Sequence, residues 1–495
     1  MKRALFSERL PKRIFIAVVG MFLPVHFLSA QTRTLRIVNY NIQCDTTGIA
    51  TVGIITPTCG LIEPYDGPGG TYDTNCTGSV INGGVLEGIG EEIVNGDPAQ
   101  PIDVLALEET TSNPTTVQPI VNALNSFYSV YNYLYPVPAG YAMSPYQAIQ
   151  SGGNTGGNGP NALVYNTNTL QLIASVGIAT PTGGVGGNPP GNGMYRQSVR
   201  YEFAPAGVKP GMNNEFYVYV SHYKASSGAI DDADRLGEAQ IIRNDESTNV
   251  PANAGVLYVG DYNPDDNSIE AGYQTICSNA APDGIQQGQG VDPLNIQWNA
   301  TTSASTNINW SSSTTNTEIL FMLSEESYEL RYRDDLQVMT SNVYYNVGLG
   351  LHYIPGTYHS FGNNATLSWG SSVNTSGNTA LNDLDLAKAN ATGLNAAVLL
   401  QDLTGASDHL PIVADYTIPL PRPAITRVSV AGNNLSLNVT NGIANAVYTV
   451  LAAPGLTSSW TPVATNVPTT GNFTLTLTNA ITGSTPQQFY LLQTR

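Results

Sequence analysis

Six short stretches carry residue types that could do chemistry together. They are Tyr40-Asn41, Leu107-Glu108-Glu109, Ser221-His222, Gly260-Asp261-Tyr262-Asn263, Arg333-Asp334-Asp335 and Ser407-Asp408-His409. Each borders an apolar run, so each puts ionisable or amide groups at the mouth of a strand. A carboxylate there is costly to bury without a partner, and the usual partner is a metal, a phosphate or another charge. Glu109 at a strand end is a natural ligand for a hard cation. Strand alternation sets Glu108 and Glu109 on opposite faces, one into a site and the other toward solvent. Asp261 and Asn263, two positions apart, bring an acceptor and an amide donor to one side. The competing reading of that pair is an Asx turn before Pro264. Asp335 can orient an imidazole. The bland alternatives are a strand-end Asn41, a surface His222, and a strand-start Asp408 beside an exposed His409.

The elements that must position these groups can be read in outline. Leu35–Ile42, Ile102–Glu109, Phe216–His222, Val256–Asp261, Leu336–Met339 and Pro411–Tyr416 read as strands, several buried on both faces. Ala162–Tyr165, Leu170–Val176 and Val199–Phe203 add further strands. Val85–Val94, Val117–Leu124 and Ala233–Asn244 have helical spacing, the last with Leu236, Ile241 and Ile242 inward. Residues 355–404 read as more loop than structure. Strands alternating with helices predict an α/β sandwich rather than a barrel. Leu420-Pro421-Arg422-Pro423 marks a linker. Beyond it, short alternating strands in residues 424–495 predict a small C-terminal β-sandwich, with Trp460, Phe473, Phe489 and Tyr490 as its core.

Lys2, Arg3, Arg9, Lys12 and Arg13 precede the apolar stretch from Ile14 to Leu28, and Ser29-Ala30 follows. This is the layout of a secretory signal peptide over residues 1–30 and predicts a secreted or periplasmic protein. The whole chain has 19 basic and 37 acidic residues; without the five basic groups and Glu8 of that segment, 14 and 36 remain, a net charge of −22. Such a surface repels polyanions at long range, although a bound divalent metal inverts the local field. No later stretch is apolar for long enough to span a membrane. Cys44, Cys59, Cys76 and Cys277 predict two disulfides, with Cys59–Cys76 the favoured local pair.

In their order and strand-end placement, the six stretches resemble the endonuclease/exonuclease/phosphatase superfamily, the deoxyribonuclease-I-like fold, over roughly residues 33–417. Gly260-Asp261-Tyr262-Asn263 and Ser407-Asp408-His409 are the specific matches. The resemblance implies a four-layer α/β sandwich, two packed β-sheets flanked by helices, with a catalytic domain over residues 31–419. It implies a metal site at Glu109, helped by Asn41 and Asp408, although Glu108 stands where the family usually has Gln. Asp261 and Asn263 would position the nucleophile and contact the phosphate. His409 would be the catalytic His, Asp335 its orienting carboxylate, and His222 a general acid that also contacts the phosphate. Arg196 loosely matches a phosphate-contacting Arg. The expected cofactor is Mg²⁺ or Mn²⁺, with Ca²⁺ as an addition, and the expected substrate a phosphodiester of nucleic acid. A phosphatase or a sphingomyelinase-like lipid phosphodiesterase of the same fold is the alternative, and a non-catalytic surface adhesion protein is the alternative of another class. The C-terminal module would attach the enzyme to a surface or glycan. His352 and His359 match nothing in this pattern.

Overall fold

The computed structural model describes residues 32–42, 84–149, 159–179, 196–211, 214–225, 228–264, 270–277, 288–294, 323–324, 327, 329–348, 350–367, 370–444, 446–455, 457–480 and 488–494. The expected signal peptide, and the favoured Cys59–Cys76 pair with Cys44, lie outside them. Cys277 is described and is free, so the expectation of two disulfides is not met. Burial pushes its thiol up to about 12, which fits a small packed side chain rather than a reactive one. Among the described residues, no helix is long and apolar enough to cross a membrane.

The chain begins with β1 (Thr32–Asn41), α1 (Val85–Ile89), β2 (Ile102–Glu108), α2 (Gln118–Tyr131), β3 (Tyr141–Met143), β4 (Ala162–Asn166), β5 (Leu170–Ile178) and β6 (Ser198–Pro205). It continues with β7 (Phe216–His222), α3 (Ala229–Asn249), β8 (Gly255–Asp261), α4 (Ala271–Cys277), β9 (Gly290–Val291), β10 (Asp335–Thr340) and α5 (Ser341–Tyr344). Then come β11 (His352–Tyr353), β12 (His359–Ser360), α6 (Leu386–Thr392), α7 (Ala396–Ala406) and β13 (Ile412–Pro419). The last part holds β14 (Ala424–Ala431), β15 (Asn434–Thr440), β16 (Tyr448–Ala453), β17 (Thr461–Asn466), β18 (Phe473–Leu477) and β19 (Phe489–Thr494).

Two large sheets form, in the orders β11-β13-β1-β2-β4-β3 (with β12 also on β13) and β5-β6-β7-β8-β10-β9. Each is built around one parallel pair, β1 with β2 and β7 with β8, flanked by antiparallel neighbours. A parallel pair needs a crossover, and α1 and α3 lie between the paired strands in sequence. The side chains follow the period of two. Leu35, Ile37, Val104 and Ala106 join Val218, Val220, Leu257 and Val259 in a core between the sheets. Val38, Tyr40, Leu105 and Leu107 face the other way, onto α1, α2 and α7. Tyr219 and Tyr258 face α3 and α4. The result is helix, sheet, sheet, helix.

Two elements differ from expectation. The α3 helix buries Arg235, Glu238, Arg243 and Glu246, while Leu236 is only half-buried. Arg235 pairs with Glu270, and Arg243 donates to the carbonyls of Thr275 and Ile276, so charge joins the apolar contact of Ala239 and Ile242 with Tyr273 and Ile276 in docking this helix on α4. Residues 386–406 hold two helices where loop is predicted, and α7 leads straight into Ser407.

Residues 424–494 form two three-stranded antiparallel sheets, β14-β15-β18 and β17-β16-β19. Their core is aliphatic, made of Leu435, Leu437, Val450, Leu475 and Leu477. Trp460, Phe473, Phe489 and Tyr490 are half-buried and outside that core, with Phe473 and Tyr490 packed against it. This part meets the larger sheets at the turn between β6 and β7, where Val208, Leu420 and Ile443 pack together and Ala444 N–H donates to the Gly207 carbonyl at 3.0 Å.

Candidate active site

The C-terminal ends of both parallel pairs meet at one pole. There β1 delivers Asn41 opposite Glu108 of β2. In the second sheet, β7 delivers His222 in register with Asp261 of β8, and Asp335 at the start of β10 pairs with Asp261 from the other side. Gly260 makes this close approach possible. Its φ is +134°, and a Cβ there would fall onto the Ser221 carbonyl oxygen.

Glu109 leaves the strand with φ 53°, rare for Glu, and its carboxylate meets groups from three other strands. Asn41 Nδ2 donates to Glu109 Oε1 at 3.1 Å and to Asp261 Oδ2 at 3.0 Å. His222 Nε2 lies 3.9 Å from Glu109 Oε1 and 3.3 Å from Asp261 Oδ2. The other Asp261 oxygen accepts the Asn263 backbone N–H at 3.1 Å. The Asx turn and the site role therefore coexist, one on each carboxylate oxygen. Asn263 holds φ 45° and donates its amide to the Tyr223 carbonyl at 3.3 Å. Arg196 donates to that same carbonyl from Nη1 and is buried.

The second half is an imidazole–carboxylate pair. His409 Nδ1 lies 2.8 Å from Asp335 Oδ2. Burial alone would lower the His409 imidazole, but the Asp335 carboxylate overrides it and holds its pKa well above the ordinary value. Burial pushes Asp335 up, to about 6, against the pull of His409. At neutral pH the pair is carboxylate and imidazolium. His222 is the opposite case: burial, with the charges of Arg196 and His409, draws it well below the ordinary value and leaves it neutral.

Ser407 ties the halves together. Its hydroxyl donates to the Asn41 carbonyl at 2.7 Å and accepts the His409 backbone N–H at 3.1 Å. Ser327 in turn donates to the Ser407 carbonyl at 2.7 Å. The serine was visible in the sequence only as a member of its motif, and Ser327 and the Tyr223 carbonyl had no signal at all.

The structure thus brings together Asn41, Glu109, His222, Asp261, Asp335 and His409, with Asn263 and Arg196 beside them. Asp408 is separate. It is partly exposed, with Oδ1 3.8 Å from His409 Nε2. Glu108 departs from expectation: it is fully buried, not solvent-facing. On β2 it follows Val104 and Ala106 on the face between the sheets, so the side opposite Glu109 is interior. Burial first, then Asp335 and Asp261, push its carboxyl well above the usual range.

Among the described residues, two groups of three could hold a cation: Glu109, His222 and Asp261, and then Asp261, Asp335 and His409. In each, one ligand atom per residue lies within 4.8 Å of the others. Carboxylates gathered so closely repel one another, and the carboxylate and amide oxygens available here suit a hard divalent cation such as Mg²⁺ or Mn²⁺.

No family model matches the chain, and no curated protein matches it. Solved structures do resemble it. The human Nocturnin catalytic domain with bound sulfate is 15% identical, with a TM-score of 0.38 over 78% of this chain and 96% of that one. D. rerio TDP2 complexed with a single-strand DNA product is 12% identical, at 0.34 over 77% and 98%. An endonuclease/exonuclease/phosphatase family protein from Bacteroides thetaiotaomicron is 9% identical, at 0.35 over 78% and 99%. With scores this low, activity has to be argued from the site itself.

Proposed function

We propose that this chain is an exported, divalent-metal-dependent phosphodiesterase, and within that class a nuclease. The observation that carries the reading is the convergence at one pole of Glu109, Asp261, Asn41 and His222 with the His409–Asp335 pair. The sequence resemblance, His222 included, favours nucleic acid over other phosphodiesters.

Glu109 and Asp261, with the Asn41 amide, would hold Mg²⁺ or Mn²⁺. Bound there, the metal supplies Lewis-acid stabilisation of charge on a phosphate oxygen. The rest is done by side chains. His409 commits Nδ1 to Asp335 and, as an imidazolium, presents an Nε2 proton to the phosphate. Asn263 and Arg196, anchored side by side on the Tyr223 carbonyl, take the remaining phosphate oxygens. A water must attack in line with the leaving oxygen. The His409 imidazolium has no free lone pair, so the proton of that water goes to a carboxylate of the site. Asp408, beside the His409 ring, acts on that ring rather than on the metal. The catalytic unit ends at Pro419, and residues 424–495 form an accessory module.

The test is a substrate panel with and without EDTA: plasmid DNA, RNA, bis-p-nitrophenyl phosphate, p-nitrophenyl phosphate and sphingomyelin. Turnover of nucleic acid and the soluble diester, lost in EDTA and restored by Mg²⁺ or Mn²⁺, is expected. Turnover of the monoester alone would make it a phosphatase, and no turnover of any substrate would favour a binding protein. Sequencing the N-terminus of the secreted protein tests export, with Gln31 expected first.

A further inference from the structure

We propose that His222 is itself a ligand of the bound cation, through Nε2, and that the site consequently takes Mn²⁺ ahead of Mg²⁺. This rests on the metal-dependent reading above and replaces the general-acid role that the sequence suggests for His222.

Atoms from four strand ends face one point. The Asn41 amide nitrogen stands 3.1 and 3.0 Å from Glu109 Oε1 and Asp261 Oδ2. His222 Nε2 stands 3.9 and 3.3 Å from the same two oxygens. Neighbouring ligands held at about 2.1 Å from one ion lie roughly 3.0–3.5 Å apart; the two Asn41 separations and that of His222 from Asp261 fall in this range, and the 3.9 Å from His222 to Glu109 would have to shorten slightly on binding. The amide and the imidazole thus converge on one pair of carboxylate oxygens. An amide exchanges its nitrogen for its oxygen by a half-turn. Facing carboxylates alone, Asn41 turns its nitrogen to them; facing a cation, it would turn Oδ1. The imidazole presents Nε2 in either case. Its Nδ1 is buried and has no partner among the described residues, so the polar contacts of the ring run through Nε2 alone. One nitrogen among oxygen donors moves the preference away from Mg²⁺, which takes oxygen ligands, toward Mn²⁺.

The experiment uses the full mature chain and Mn²⁺ or Mg²⁺ alone, without substrate. Calorimetry gives the affinity ratio, and pulsed electron paramagnetic resonance of bound Mn²⁺ detects a coordinated imidazole nitrogen. In the wild type we expect nitrogen coupling and Mn²⁺ binding at least about tenfold tighter than Mg²⁺. H222Q should lose the coupling and most of that preference, whereas H409Q should keep both. E109Q, which removes a carboxylate, should weaken both metals. Stoichiometric Mn²⁺ binding without nitrogen coupling, or coupling that survives H222Q, overturns the assignment and leaves the metal-dependent reading intact. Absence of metal binding in the wild type overturns both. If H222Q does not fold, the H409Q spectrum decides alone, because His222 is then the one imidazole left at the site: coupling supports the assignment, and its absence overturns it.

Discussion

Arg36 in the middle of β1 and Asn41 at its end are both fully buried, and their surroundings differ. Arg36 is saturated. Nε and Nη2 bond both oxygens of Asp415 at 2.9 and 2.8 Å, and Nη1 reaches the carbonyls of Ile89 at 2.6 Å and Glu92 at 3.0 Å. Its backbone N–H donates to Asp103. Around Asn41 the balance is different. Glu109 and Asp261 share one amide donor, while both Glu108 oxygens, Asp335 Oδ1 and His222 Nδ1 are buried without a hydrogen-bond partner. An unsatisfied buried polar atom costs on the order of 1–3 kcal/mol. The middle of the strand therefore uses charge to hold the fold, and its end gathers polar atoms that the fold itself does not satisfy. The second arrangement points to a ligand.

The largest effect should come from breaking the unsatisfied end. Glu109→Gln keeps size and hydrogen bonding but removes the charge, and should lower diester hydrolysis in Mg²⁺ by roughly a thousandfold. Melting in EDTA should change little, because removing one of several crowded carboxylates relieves repulsion. An active Glu109→Gln variant, or one that unfolds, would put the two parts of β1 in the same class. Glu108→Gln should stay active, because Gln fills the same interior space, and should melt higher than wild type because the fold no longer has to hold a buried carboxyl protonated.

The satisfied middle should show the reverse pattern. Arg36→Met leaves the Asp415 carboxylate buried and unpaired, at a cost of about 3–5 kcal/mol in urea unfolding. The Arg36→Met/Asp415→Leu pair should recover much of that loss. Metal binding per folded molecule should be unchanged in both, since the site lies at the end of the strand.

Sequence showed the two clusters unequally. The groups of the candidate site sit at strand ends next to apolar runs, so Asn41, Glu109, His222, Asp261, Asp335 and His409 are all legible in the sequence as residue types at those ends. Arg36 is not, because Asp415 and Asp103 reach it only after three strands align, and nothing local announces that. Glu108 was misjudged because alternation gives two faces without saying that both are covered, which depends on the second sheet. The α7 helix was missed because its Gly and Thr residues weaken the helical pattern, and it is stabilised by Leu399, Leu400 and Leu403 packing under the first sheet. The placement of Trp460 and Phe489 outside the core had no sequence signal, since aromatic residues serve a small core and its rim equally well.

A smaller effect, dependent on pH, separates the clusters again. Glu87 on α1 is buried with Oε1 unpartnered, and burial pushes its carboxyl to about 8. Burial likewise raises Asp103 to about 7. The unfolded chain ionises such groups near their ordinary value of about 4.3, so raising the pH favours the unfolded state. The contribution of these groups is intact below that value and is lost progressively as pH rises to about 8. Thermal melts should therefore fall between pH 5 and pH 8.5. Glu87→Gln should match wild type near pH 4 and melt a few degrees higher at pH 8.5. Identical melts at both pH values would show that Glu87 is not held neutral by the fold.

The smallest expected effect is at the pole opposite the site. β13 runs away from His409 and ends at Pro419, paired with Thr32 at the start of β1. The accessory strands then attach at the turn between β6 and β7, at the far end of the strand that delivers His222. That joint is a contact of Val208, Leu420 and Ile443 with one backbone hydrogen bond from Ala444 to Gly207. Ending the chain at Pro421 keeps every strand of both large sheets and every group of the site. It exposes part of Val208 and Leu420, which should cost about 1–2 kcal/mol of apolar burial. The kcat and KM on bis-p-nitrophenyl phosphate should be those of the full chain. A shortened protein that folds but turns over this small diester poorly would mean that the far pole is coupled to the site through β7. Lost activity on cells or polymeric substrates, with the soluble diester unaffected, would instead place substrate or surface binding in the accessory strands.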